Sequence, residues 1–146
     1  MKLAITVLAL FALVSTAHAG DPLTPYARRI VISPEAPPSL SSELPAFLAA
    51  NAVKDDDYHL IKGPPWPMHL VGVLAKPTKK PLVLVIVDPA APKEPLLSFE
   101  VSSKQRIVMA HTEATIAAGF AAGKSYAVRL MLGKTVLAKS MLTLRD

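Results

Sequence analysis

A mainly β fold, an antiparallel sandwich with one short N-terminal helix, is what this sequence predicts, and three observations carry the prediction. Beyond residue 67, six strand-like segments follow one another with only turn signals between them. Fourteen prolines interrupt a chain that is 51% hydrophobic, which suits short apolar strands and rigid turns better than long helices. Three of the segments alternate apolar and polar residues with the period of two that places one face on a core. Six strands in succession, joined by short turns, imply antiparallel partners.

In chain order the first element is a secretory signal over residues 1–19. Lys2 gives a positive start, Leu3 to Val14 an apolar stretch, and Ala17-His18-Ala19 the small-x-small pattern cleaved before Gly20. Twelve apolar residues are too few for a bilayer span, which needs about 20, so the segment reads as a signal and not as a transmembrane anchor. The chain has no cysteine, which rules out disulfides and thiolate metal sites and points to a bacterial periplasm more than to a disulfide-rich animal secretion. The expected location is periplasmic or secreted. Removing nineteen of the 146 residues leaves a length that suits one domain over 20–146, divided into an irregular part over 20–67 with the helix and a strand-rich core over 68–146. Loss of Lys2 takes the formal charge from +5 to +4, a scattered positive balance that speaks to solubility and to anionic surfaces such as lipid headgroups or cell-wall polymers.

Arg28 to Ser33 is a strand by its β-branched run Ile30-Val31-Ile32. Ser41 or Ser42 is placed to cap a helix that runs to about Ala52, with Pro45 tolerated in its first turn. Leu44, Phe47 and Leu48 then form an apolar stripe that lies on the rest of the domain. Asp55-Asp56-Asp57 marks a turn, and Tyr58 to Lys62 is a short strand stopped by Gly63-Pro64-Pro65-Trp66-Pro67. Met68–Ala75, Leu82–Val87, Leu96–Val101, Arg106–Ala114, Lys124–Leu132 and Thr135–Leu144 are the later strands. In the last, Val136, Ala138, Leu142 and Leu144 are expected on one face. Leu82–Val87 is apolar on both faces, so its outer face calls for a cover from the helix, the N-terminal segment or a partner chain.

The stretch Phe120-Ala121-Ala122-Gly123-Lys124-Ser125-Tyr126-Ala127-Val128-Arg129-Leu130 resembles the tyrosine corner of fibronectin type III and related immunoglobulin-like domains. Phe120, Gly123, Tyr126, Val128 and Leu130 match its pattern in order and spacing. The resemblance implies an immunoglobulin-like sandwich, with the Tyr126 hydroxyl bonded to backbone near the preceding loop, and it implies no function. Two features depart from the pattern: Trp66 sits between prolines and not on a central strand, and the N-terminal part carries a helix.

Chemical motifs are sparse. Gly119 to Ser125 is one residue short of a phosphate loop, and Gly133-Lys134-Thr135 lacks its first glycine; neither lies before a helix, so no nucleotide cofactor is expected. His59, His69 and His111 show no metal-ligand spacing, and no metal is expected. The serines include no nucleophile elbow. The strongest candidate for function is Pro64, Pro65, Trp66 and Pro67, where prolines could hold an indole rigidly for a partner. Equally, Trp66 could fold back to plug one end of the sandwich, and its exposure decides between the two. These readings point to a non-enzymatic binding or accessory module of the bacterial envelope, with another envelope protein or a cell-wall polymer as partner and no nucleic acid. Two alternatives stand beside it: a small hydrolase or metal-dependent enzyme using His59, His69 and the nearby aspartates, and a subunit or chaperone of a surface appendage that exchanges strands at an exposed edge.

Overall fold

The computed structural model describes residues 20–146, so the secretory signal expected over residues 1–19 lies outside the described residues. Eight strands and one helix follow in order: β1 (Arg29–Ser33), α1 (Leu44–Asn51), β2 (Asp57–Leu60), β3 (Trp66–Val73), β4 (Leu82–Val87), β5 (Leu97–Val101), β6 (Ile107–Ala114), β7 (Ser125–Leu132) and β8 (Thr135–Leu144). The molecule is therefore mainly β with one short helix, as its proline-punctuated apolar runs require.

The strands form one path, β5-β4-β7-β8-β1-β3-β6, with β2 added on β8. Lys104 bridges Ile107 within the turn that leads from β5 to β6, the two end strands of the path, and the sheet nearly closes into a barrel. The expectation of purely antiparallel pairing is corrected at β8. That strand pairs antiparallel with β7 but takes β1 and β2 in parallel. A tight turn forces antiparallel neighbours, whereas β1 and β2 reach β8 through long connections that leave direction free. The β1–β8 ladder is short, and Ser140 supplements it: its hydroxyl accepts the Ile30 N–H at 3.2 Å and donates to the Ile30 carbonyl.

Inside the path the alternating residues meet. Tyr126, Val128 and Leu130 of β7 are fully buried, as are Leu82 and Ile86 of β4, Met68 and Leu70 of β3, and Leu142 and Leu144 of β8. Gly72 of β3 faces β7 so closely that a Cβ there would stand 3.1 Å from a Leu130 methyl. The Tyr126 hydroxyl accepts the Ala121 N–H at 2.8 Å, and Phe120 packs edge-on against the Tyr126 ring. One face assignment changes. A bulge in β8 lets Met131 pair with Val136 while Leu130 pairs with Ala138, so Val136 turns outward and is 44% exposed.

The helix is preceded by a 3-10 turn over Ser41–Glu43, and neither serine caps it through its side chain. Leu44 and Leu48 are buried as their spacing predicts. The helix packs on β1, where Ser33 reaches Asn51 at 3.2 Å, and on this outer side of the β1–β3 pair Val31, Val71 and Val73 are fully buried. The cover expected over β4 is thus spent on another strand pair. The Asp55–Asp57 turn is held against β1 by Arg29, which donates to Asp56 at 2.7 Å and to the Val53 carbonyl at 2.8 Å. Burial pushes the Tyr58 hydroxyl above its ordinary pKa beside this cluster.

Candidate functional site

The proline loop before β3 presents Pro64, Pro65 and Pro67 to solvent, while Trp66 turns inward. Its ring is 1% exposed, and its Nε1–H donates to the Arg145 carbonyl at 2.7 Å. A Cβ on Gly63 would overlap the indole at 2.3 Å, so the ring also occupies the space a side chain at residue 63 would need. Of the two roles weighed for Trp66, its burial is that of the plug. The tryptophan closes one end of the core and ties the C-terminal residues to β3, so it is a buried strand residue after all.

The histidines separate. His59 on β2 accepts from the Arg145 Nε–H at 3.1 Å and lies 3.4 Å from Asp57. Asp57 in turn accepts the Thr143 hydroxyl at 3.1 Å. His69 on β3 instead stacks on His111 of β6, with ring centroids 4.3 Å apart. Burial, with His111 as a second cause, holds the His69 pKa below the ordinary value. The set proposed for hydrolysis is therefore split between two strand pairs, β2–β8 and β3–β6, and does not converge. Among the described residues no group of three or more His, Asp or Glu side chains is placed to hold a metal ion.

The remaining concentration of unusual side chains lies on the outer face of β4, β7 and β8. Register places Val83 beside Met131 and Val85 beside Arg129, and Val136 beside Met131 on the far side. Val83, Met131 and Val136 are at least partly exposed. On β8, Lys139 stands directly opposite Arg129. Like charges in opposed positions repel, and the pairing costs stability unless something neutralises it. The ion pairs among the described residues join Arg29 to Asp56, His59 to Asp57, Arg106 to Asp21 and Lys124 to Asp88, and none reaches Arg129 or Lys139. The opposition of Arg129 to Lys139 depends on register across a bulged hairpin and has no local signal in the sequence.

Compared with known proteins, no family model, no curated protein and no solved structure matches the chain.

Proposed function

We propose that residues 20–146 form an immunoglobulin-like sandwich that acts as a non-enzymatic binding or accessory module outside the cytoplasm of a bacterium. Splitting the strand path at the β8–β1 junction yields a β1-β3-β6 layer and a β5-β4-β7-β8 layer. The approach of Leu130 to Gly72 across the interior and the Tyr126–Ala121 bond both support this reading.

The observation that carries the binding role is the outer face of β4–β7–β8. It combines the apolar strip Val83, Val85, Met131 and Val136 with the opposed cations Arg129 and Lys139. A sheet face that sets an apolar row beside two opposed, unpaired cations is what an intermittent partner leaves behind when absent. The partner in this reading is another envelope protein or a cell-wall polymer. The test is capture from envelope extract on immobilised chain, compared with a Val83→Asp, Met131→Asp double variant of unchanged circular dichroism. Capture by the native face and loss with the variant supports the reading. Equal capture by both, or capture by neither, overturns it.

A further inference from the structure

We infer that the depression beside β8 is a binding site for a phosphate group, held by Arg28, Arg129 and Lys139; the inference rests on the binding-module reading and names the chemistry its ligand carries. The depression has a volume of about 390 Å³ and is lined by these three cations together with Val136, Leu137 and Ala138. No acidic side chain lines it.

Two constraints place the three cations there. Arg28 adopts φ +66°, and in that conformation its N–H donates to the Val73 carbonyl at 2.7 Å while its carbonyl accepts the Lys139 N–H at 3.3 Å. The backbone thus fixes Arg28 at the side of Lys139. Arg129 and Lys139 are brought together by the β7–β8 register. The other partly buried arginines are all engaged: Arg29 with Asp56, Arg106 with Asp21 and the Leu74 carbonyl. Arg129 is half-buried, yet no acceptor reaches its guanidinium among the described residues. A guanidinium that has lost part of its water without gaining an acceptor is poised for one.

The charge chooses the ligand. Three cations around one depression outmatch a single carboxylate, whereas a phosphate offers up to two negative charges and several oxygens to the planar forks of two arginines. A second depression shares Arg129 and Lys139 and carries Asp55 and Asp56. Asp56 is engaged with Arg29, which leaves Asp55 as the acid that competes for these cations. The same phosphate chemistry comes free in solution or as a lipid headgroup, and vesicles tell the two apart.

The experiment is a titration of the isotopically labelled chain with inorganic phosphate at low ionic strength, followed by backbone NMR. The expected result is a saturating shift of the amides of Arg28, Arg129 and Val136 to Lys139. Arg129→Gln and Lys139→Gln should each weaken binding about tenfold, as loss of a charge-assisted bond implies. The same two variants should melt no lower than the native chain, since each removes a like-charge opposition; this separates the site from a structural role. Lys93→Gln, an equal loss of charge outside the depression, should leave affinity unchanged, and Asp55→Asn should raise it. Co-sedimentation with phosphatidylglycerol vesicles that the Arg129→Gln variant loses assigns the phosphate to a headgroup. Saturation by inorganic phosphate without sedimentation assigns it to a free ligand. Shifts spread evenly over the lysines, or a loss in Lys93→Gln equal to that in Arg129→Gln, overturn the site. So does the absence of both saturation and Arg129-dependent sedimentation. Failure here leaves the capture test on Val83 and Met131 untouched, because that test reads the apolar strip.

Discussion

The two outer faces of this sheet are built from similar strands and end in opposite states. On β1 and β3 the outward residues Val31, Val71 and Val73 are fully buried, and the helix that packs on β1 buries its own Leu44 and Leu48. On β4 the outward Val83 is 36% exposed, with Met131 of β7 and Glu100 of β5 beside it. Apolarity on both faces therefore does not by itself say which strand is covered. Ten residues join β1 to the helix, which comes to rest on the face next to β1. The doubly apolar β4, farther along the chain, does not receive the helix and leaves Val83 exposed on its outer face.

The interior common to both faces offers the largest test. Trp66→Ala should cost about 3 to 5 kcal/mol, the range for truncating a buried aromatic, because the ring is fully enclosed and its N–H is bonded to Arg145. A denaturant midpoint close to that of the native chain would show that the plug contributes nothing. Next comes the contrast itself. Leu48→Ala under the covered face should cost about 3 kcal/mol, whereas Val83→Ala on the bare face should stay within about 0.5 kcal/mol. Equal losses in urea melts would erase the distinction between the faces. Tyr126→Phe keeps the ring and deletes the bond to Ala121, and a loss of about 1 kcal/mol is expected from that bond alone.

A smaller effect belongs to the covered side. His69 titrates below its ordinary value because burial, and then His111, disfavours its charged form. Between its folded pKa and the ordinary value near 6.5, the unfolded chain binds the proton more tightly than the folded one. Stability should then be full above about pH 6.5, fall as the pH drops below it, and level off once the folded imidazole is itself protonated. Melting temperatures from pH 7.5 to 5 should reveal this decline, and His69→Gln should flatten it. An unchanged slope in that variant would move the cause elsewhere. On the bare side the smallest equilibrium effect is expected. Lys79, Lys80 and Asp88 flank the uncharged run Leu82–Val87, and replacing all three with alanine should raise light scattering during refolding more than it changes the native melt. Refolding as clean as that of the native chain at high concentration would remove the protective role.

Much of the local structure was legible. Leu82–Val87 and Thr135–Leu144 have the observed ends, because apolar runs bounded by Pro81, Asp88, Lys134 and Arg145 have little choice of length. Leu44 and Leu48 were legible as the buried stripe, and Tyr126, Val128 and Leu130 as core, since period alone orients them. What escaped depends on partners distant in sequence. The parallel pairing of β8 with β1 and β2 has no local motif, and the bulge that turns Val136 outward adds one residue where alternation assumes none. The candidate site shares this blindness: Arg129 and Lys139 face each other only in one register, and Arg28 joins them only through backbone bonds to two other strands. Trp66 was ambiguous for a different reason. Prolines either side read equally as a rigid display and as a stopper, and only the carbonyl of Arg145 reveals which way the indole turns.

β8 is the seam of the molecule. It alone joins β7 to β1, and it also carries β2. Until it docks, β5-β4-β7 and β1-β3-β6 are two half-sheets with raw edges. Among the described residues every other strand precedes it along the chain, so in synthesis from the N-terminus residues 135–144 are the last strand to arrive. A chain interrupted shortly before that point would lack the strand that joins the halves and leave unfastened edges exposed to its neighbours.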